Sequence, residues 1–230
     1  MAKISPGPMA GAISGAMGGT VFSHNRYGAY IRTRAIPVNP DTEWQAQMKG
    51  ILTQLTRSWS GLTDAGRAAW RTWTLSNPVT DGLGQKQVLT GHVAYIGINS
   101  RLLRAGDTVI TVPPIAAAPT PLLTVTLTAD IGLGGVTVAY TATPLGAGEK
   151  LWVVAALVDS VGVNYVRNLN KLVFISAAAA ASPADIEAAV EERFGTMQVG
   201  EKLIVYASVF GSTTGLLSGP LRDDAVVVTT

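Results

Sequence analysis

The chain has no cysteine among its 230 residues and only two histidines. The lack of cysteine excludes disulfides, thiolate metal sites and cysteine nucleophiles. His24 and His92 stand far apart with no carboxylate at metal-ligand spacing, and no phosphate-loop or serine-hydrolase motif occurs. These absences predict a protein that is not an enzyme and that has no catalytic residue, cofactor or metal site.

Charged residues are also scarce, at 14% of the chain, against about 25% in typical globular domains. Two explanations fit this scarcity of charged residues. Either much of the surface is covered in an assembly, or the genome composition enriches alanine and glycine. The charges are unevenly placed, since residues 1–110 hold 11 Lys/Arg and 5 Asp/Glu, whereas residues 111–230 hold 6 and 10. This asymmetry favours contact with acidic surfaces, or head-to-tail contact between copies of the chain.

The first 40 residues are unusual because they contain no acidic side chain and many glycines. Residues 4–23 carry no charge, and glycine recurs at positions 7, 11, 15 and 19. So much glycine disfavours a membrane-spanning helix, and the leucine-rich core of a secretory signal is missing. We therefore predict that residues 1–38 form an extended, glycine-rich and basic arm that orders against a neighbouring subunit.

Basic and aromatic side chains alternate at the end of this predicted arm. Strand periodicity over residues 27–35 places Tyr30, Arg32 and Arg34 on one face. A simpler interpretation is an edge strand whose arginines are merely solvated. The predicted interaction residues are Phe22, Arg26, Tyr27, Tyr30, Arg32 and Arg34.

The sequence pattern over residues 39–110 predicts a helical region. Asn39 and Pro40 are typical of an N-cap and a first helical position, and an apolar stripe follows from Trp44 to Trp59.

Two further helices are expected in this region. Thr63 is expected to cap a second helix in which Trp70 and Trp73 share a face, and a third runs from Thr90 to a stop at Gly106. A DNA-reading helix-turn-helix is an alternative, but the second helix offers few exposed basic residues.

Residues 111–121 contain four prolines and predict a stiff linker, after which the apolar period changes to two. We predict an antiparallel immunoglobulin- or fibronectin-like β-sandwich over residues 122–230, so that the fold class is α+β. One short helix is expected within it, with a capping box at residues 182–185 and a stop at Gly195. The predicted strands are residues 123–128, 136–141, 151–158, 163–167, 171–176, 202–210 and 225–229.

Four stretches of the sequence carry a resemblance to a known group of proteins. They are Gly18-Gly-Thr-Val-Phe-Ser-His-Asn-Arg-Tyr-Gly-Ala-Tyr-Ile-Arg-Thr-Arg34, Pro37-Val-Asn-Pro40, Trp59-x-x-Leu-Thr63 and Arg67-Ala-Ala-Trp70. Over roughly residues 10–105 the chain resembles an uncharacterised group of proteins encoded by tailed bacteriophages and prophages. The resemblance implies a phage genome and a virion component, and it carries over no catalytic or binding residue.

Together these features predict a non-enzymatic structural protein of a phage virion. We expect a capsid decoration or cement protein that grips the shell through its arm and helices, while the sandwich projects. Its expected partners are the major capsid or tail protein and copies of itself, rather than a membrane or nucleic acid. Three alternatives stay open: a tail or baseplate component, a nucleic-acid-binding protein that uses the basic aromatic residues 22–34, and an enzyme of the infection cycle.

Overall fold

The computed structural model describes residues 2–3, 13–25, 28–80, 84–132 and 134–229. These residues form a mixed α+β protein with four helices and several antiparallel sheets, which confirms the predicted α+β class at that level. The chain divides into two compact units, Met1–Gln47 and Met48–Thr230. In the part of the chain that is described, no helix is long and apolar enough to cross a membrane.

The first unit contains a four-stranded antiparallel sheet with the order β1-β4-β3-β2. Gly18 and Gly19 form the turn between the strand that ends at Met17 and the strand that begins at Thr20. Gly18 has a φ of 56°, a left-handed conformation that glycine adopts at low cost. Residues 4–12 of the predicted arm lie outside the described residues. The four strands are β1 (Ala2–Lys3), β2 (Gly15–Met17), β3 (Thr20–Asn25) and β4 (Gly28–Thr33).

The first helix, α1 (Glu43–Gly61), begins later than the predicted start at Asn39 and Pro40, so that prediction is wrong. The main-chain N–H of Gln45 donates to Thr42 Oγ1 at 3.4 Å, and the N–H of Thr42 donates to Gln45 Oε1 at 3.3 Å. This reciprocal capping box satisfies the amides of both Thr42 and Gln45 at the start of the helix.

The second and third helices confirm the sequence prediction. Helix α2 (Asp64–Ser76) follows Thr63, whose hydroxyl accepts from Gly66 N at 3.2 Å. A short hairpin, β5 (Val79–Thr80) with β6 (Lys86–Gln87), was not predicted and leads to α3 (Gly91–Arg104). Helix α3 begins next to Thr90, where its start was expected, and the Thr90 hydroxyl caps it by accepting from Val93 N at 3.4 Å.

The second unit also contains two larger antiparallel sheets, with the orders β10-β9-β12-β13 and β11-β8-β7. A fourth helix, α4 (Glu187–Phe194), lies between β11 and β12 in the chain. The strands are β7 (Thr124–Asp130), β8 (Gly135–Thr141), β9 (Glu149–Val158), β10 (Lys171–Ile175), β11 (Ala184–Asp185), β12 (Lys202–Gly211) and β13 (Leu221–Val226).

Strands β9 and β12 are covered on both faces, which explains their almost unbroken apolar sequences. On one face, side chains such as Val153 and Val205 join the strands of the smaller sheet in one apolar cluster. On the other face, Trp152 and Phe210 pack with Leu55 and other side chains of the first three helices. The second unit is therefore built in three layers, helices, four-stranded sheet and three-stranded sheet.

The proline-rich segment between α3 and β7 has neither helix nor strand, yet it is bonded to the helices. Trp70 Nε1 donates to Thr111 O at 2.9 Å, and Trp73 Nε1 donates to Pro114 O at 2.9 Å. The buried Asn99 accepts from Ile110 N at 2.8 Å and donates to its carbonyl at 3.1 Å. Residues 111–118, hereafter the strap, are thus attached to α2 at two points, and Asn99 of α3 holds the residue before them.

Two predicted strands are wrong. Residues 163–167 form a loop, in which Asn164 Oδ1 accepts from Lys202 Nζ at 2.9 Å. The last strand is Leu221–Val226 instead of residues 225–229, because its charged side chains have partners: Asp224 pairs with Lys202 at 2.8 Å, and Asp223 accepts from Leu127 N at 2.7 Å.

The predicted start of the short helix is also wrong. Ala184 and Asp185 pair with β8 as strand β11, so the helix begins only at Glu187. Ser182 does not cap it, because the Ser182 hydroxyl accepts from Tyr140 N at 2.9 Å. The predicted stop is confirmed by Gly195, which has a φ of 92°.

Candidate functional site

The β3–β4 hairpin brings together three of the predicted interaction residues. Tyr30 lies opposite Ser23, and Arg32 lies opposite Val21. Directly opposed residues of an antiparallel pair share a face, so Tyr30 and Arg32 lie on the same side of the sheet. Arg34 continues this alternation, since its N–H extends the hydrogen-bond ladder beyond β4. We call Tyr30, Arg32 and Arg34 the basic face.

Phe22, which the sequence analysis grouped with these residues, lies on the other side of the sheet. It pairs with Ile31, one position away from Arg32 along β4. Met17 pairs with Thr20 and falls on the same side as Phe22. We call Met17, Phe22 and Ile31 the apolar face. Register, which the sequence does not give, separates the aromatic residues into two surfaces.

The charges of the basic face are not neutralised by the part of the chain that is described. Arg32 and Arg34 are exposed, and no carboxylate of a described residue pairs with either of them. Two other predicted interaction residues, Arg26 and Tyr27, lie outside the described residues. Tyr30, on the same face of the sheet as Arg32, is partly buried.

None of the described side chains of the first unit from residue 13 onward is buried. Phe22 and Ile31 are half-buried, and Met17 is 75% exposed. Strands of this kind normally need one face packed on a core to be stable in water. The sheet therefore presents two accessible surfaces of different chemistry, one apolar and one basic.

Two lysines of the second unit form ion pairs within the fold. Lys150 Nζ lies 2.7 Å from Asp107 Oδ1, and the Lys202–Asp224 pair joins two adjacent strands. Among the described residues, no group of three or more His, Cys, Asp or Glu could hold a metal ion. His92 stacks at a tilt against Trp59, with ring centroids 5.3 Å apart.

A second surface, which the sequence analysis missed, lies along α2 and the strap. A groove of about 820 Å³ is lined by Trp73, by Leu216 and by most of the strap. A neighbouring cavity of about 330 Å³ shares Trp73 and Leu216 and extends between α2 and α3 as far as Arg101. The sequence placed Trp73 on a helix face with Trp70 but gave no sign of this groove, because the strap reaches it from 40 residues further along the chain.

Comparison of the chain with protein-family models, with curated proteins and with solved structures finds no match.

Proposed function

We propose that this protein is a non-enzymatic structural protein of a tailed-phage virion, which binds the capsid as a decoration or cement protein. The observation that carries the proposal is the N-terminal sheet, in which no described side chain from residue 13 onward is buried. Apolar burial is the main stabilising term of a folded sheet. A sheet that lacks it gains stability when a partner covers one of its faces.

The two faces of this sheet suit two partners of a particle surface. The apolar face, Met17, Phe22 and Ile31, suits an apolar strip on the major capsid protein. The basic face, Tyr30, Arg32 and Arg34, suits an acidic surface, on the shell or on a second copy of this chain, whose residues 111–230 are net acidic. The resemblance of residues 10–105 to phage and prophage proteins supplies the setting.

We further propose that strands β7 to β13 form an immunoglobulin-like β-sandwich that projects from the shell. The support is that two antiparallel sheets share one apolar cluster, to which β7, β8, β9 and β12 all contribute. A main-chain bond from Ile131 N to Val228 O at 3.0 Å and the Asp223 contact to Leu127 link the sheets along one edge. In the proposed arrangement the first unit and the helices grip the shell.

Limited proteolysis tests the proposal. The chain is digested with a broad-specificity protease, alone and after binding to particles of the phage that encodes it. We expect cleavage before residue 42 in the free chain and protection on particles, because the exposed sheet and residues 35–41 are then covered. Cleavage in the exposed loop at residues 161–165 is the internal control and stays constant. Equal cleavage before residue 42 with and without particles contradicts the proposal.

Separated heads and tails distinguish the decoration protein from a tail or baseplate component. We expect the purified chain to co-sediment with heads. If it co-sediments with tails alone, the tail assignment replaces the capsid assignment.

A second candidate function, single-stranded nucleic-acid binding, is favoured by the basic face alone. Tyr30 would stack on a base while Arg32 and Arg34 contact phosphates. Phosphate contacts weaken steeply with salt, whereas apolar contact with a shell persists. Because the two faces are separate, Met17→Ser should weaken binding to particles and leave any binding to an oligonucleotide unchanged. The double change Arg32→Gln and Arg34→Gln should weaken both kinds of binding, so Met17→Ser is the variant that separates the two functions. Particle binding that is lost at high salt, together with tight oligonucleotide binding, would favour the second function.

A further inference from the structure

The cavity between α2 and α3 opens at a surface that carries four exposed aliphatic side chains. Val79 and Val93 are each 49% exposed, Val112 is 63% exposed, and Ile115 is fully exposed at 100%. All four line the cavity or the adjoining groove. Contiguous exposed apolar surface on a soluble protein marks a site of interaction.

One basic side chain lies in the wall of this apolar cavity. Arg101, on α3, donates from Nη1 to Gly215 O at 3.2 Å. No carboxylate of a described residue lies within ion-pair distance of its guanidinium. Burial lowers the pKa of Arg101 below its ordinary value, which means that its charge is poorly solvated where it stands.

The other polar groups nearby already have partners. The indole N–H of Trp73 is bonded to Pro114 O, and the side-chain amide of Asn77 donates to Trp73 O at 2.9 Å. The hydroxyl of Thr74 donates to Arg71 O at 2.8 Å. Arg101 is thus the side chain in this wall with the most N–H donors left for a ligand. Because the surroundings are apolar, a ligand that carries an anionic group on an apolar chain fits them best.

We propose that this groove binds an extended peptide segment of a partner protein, with an aliphatic side chain in the smaller cavity and an adjacent carboxylate on Arg101. A peptide fits better than a small carboxylic acid because the cavity of about 330 Å³ adjoins a groove of about 820 Å³ along the strap. The aliphatic residues Val112 and Ile115 lie along that groove and extend the apolar contact over several residues of the peptide. The proposal does not depend on the phage setting.

The probes are two blocked hexapeptides, acetyl-Thr-Leu-Thr-Glu-Leu-Thr-amide and the same peptide with glutamine in place of glutamate. Each is titrated into the isotope-labelled full chain while NMR follows the indole N–H of Trp73 and the amides of α3. We expect the glutamate peptide to bind roughly tenfold more tightly, because a charge-assisted hydrogen bond forms only with the carboxylate. The shifted signals should be those of Trp73, Val93 and Arg101.

Three variants sharpen this test. Arg101→Gln should reduce the affinity of the glutamate peptide about tenfold, to that of the glutamine peptide, whose own affinity should not change. Arg71→Gln removes the same charge from α2 outside the cavity lining and should change neither affinity. Val93→Thr keeps the side-chain shape at an exposed position and should weaken both peptides alike.

The proposal is overturned if neither peptide shifts these signals, or if the shifts fall on another part of the chain. It is also overturned if both peptides bind the native chain equally, since Arg101 would then recognise no carboxylate. Should Arg101→Gln fail to fold, the pair of peptides on the native chain and the Val93→Thr variant still decide the outcome.

Discussion

Phe22 and Phe210 are both phenylalanines on antiparallel strands, but their surroundings differ. Phe22 lies in the N-terminal sheet, half-buried, in a unit whose described side chains from residue 13 onward include none that is buried. Phe210 lies on β12, fully buried, with its ring 5.3 Å from that of Trp152 and with helices packed above it. The comparison shows that strand formation and core formation are separable in this chain. One sheet has its core within the same unit, and in the other no described side chain from residue 13 onward is buried.

The largest expected effect comes from truncating the two phenylalanines. Phe210→Ala should lower the free energy of unfolding by about 3–5 kcal/mol, because it leaves a cavity in a packed core. Phe22→Ala should lower it by less than about 1 kcal/mol, because little buried contact is lost. Urea denaturation followed by tryptophan fluorescence measures both. Similar losses in the two variants would mean that the N-terminal sheet has a core of its own.

The second test compares two proline-containing segments. Residues 35–41 are exposed throughout, whereas the strap is attached by Trp70 and Trp73 and follows the buried Asn99 contacts. Asn99→Ala should cost about 2–4 kcal/mol, because it leaves the N–H and C=O of the half-buried Ile110 without their Asn99 partners. It should also make the strap sensitive to protease, while cleavage at residues 35–41 stays as fast as before. A control at the exposed Asn77, Asn77→Ala, should change stability far less. A strap that is cut quickly in the native chain would contradict this account.

A third test uses glycines to compare packing in the two units. A Cβ at Gly91 would lie 2.9 Å from Arg71 N, since α3 begins directly against the backbone of α2. Gly91→Ala should therefore destabilise the second unit by about 1–3 kcal/mol. Gly19 in the N-terminal sheet has no atom within 4 Å of such a Cβ, and Gly19→Ala should change stability by less than about 0.5 kcal/mol. Thermal unfolding of the two variants gives the ratio of their losses in stability. If Gly91→Ala is as stable as the native chain, the two helices separate easily at this point.

The smallest effect on stability is expected from the basic face. The double variant Arg32→Gln and Arg34→Gln should unfold within about 0.5 kcal/mol of the native chain, because both side chains are exposed and unpaired among the described residues. Under the proposed function its binding to particles should nevertheless fall at low salt. Arg167→Gln, an exposed change in the second unit, is the matched control and should bind normally. A loss of stability in the double variant would assign the arginines to folding.

Helices were predicted best where their signals are local. Thr63 caps α2 as expected, and α3 begins next to Thr90 as expected, because a threonine hydroxyl three residues before a free amide can accept from it without help from the rest of the fold. The predicted starts of α1 and α4 were wrong where another contact competes with the predicted cap. Helix α1 begins after the capping box of Thr42 and Gln45 and not after Asn39. Residues 184–185 pair with β8 and therefore do not form the cap of α4.

The surfaces of the candidate sites were predicted less well, because they depend on residues that are distant in sequence. The predicted position of β13 was wrong because Arg222, Asp223 and Asp224 have the composition of a solvated turn. In the structure Asp224 pairs with Lys202 and Arg222, and Asp223 accepts from Leu127 N. The alternation of Tyr30, Arg32 and Arg34 was read from the sequence. Their separation from Phe22 required the register of β3 against β4.

By itself, the sequence determined the α+β class, the cap of α2 and the start of α3, most strands of the second unit and the alternation of Tyr30, Arg32 and Arg34. These depend on periodicity and on side-chain bonds that span three or four residues. Only the tertiary structure decided which faces are covered. It placed Phe210 in a three-layer core and left Phe22 in a sheet in which no described side chain from residue 13 onward is buried. It also brought the strap beside Trp73 to form a groove. Burial of this kind is a sum of contacts between distant segments, and no short stretch of sequence contains that information.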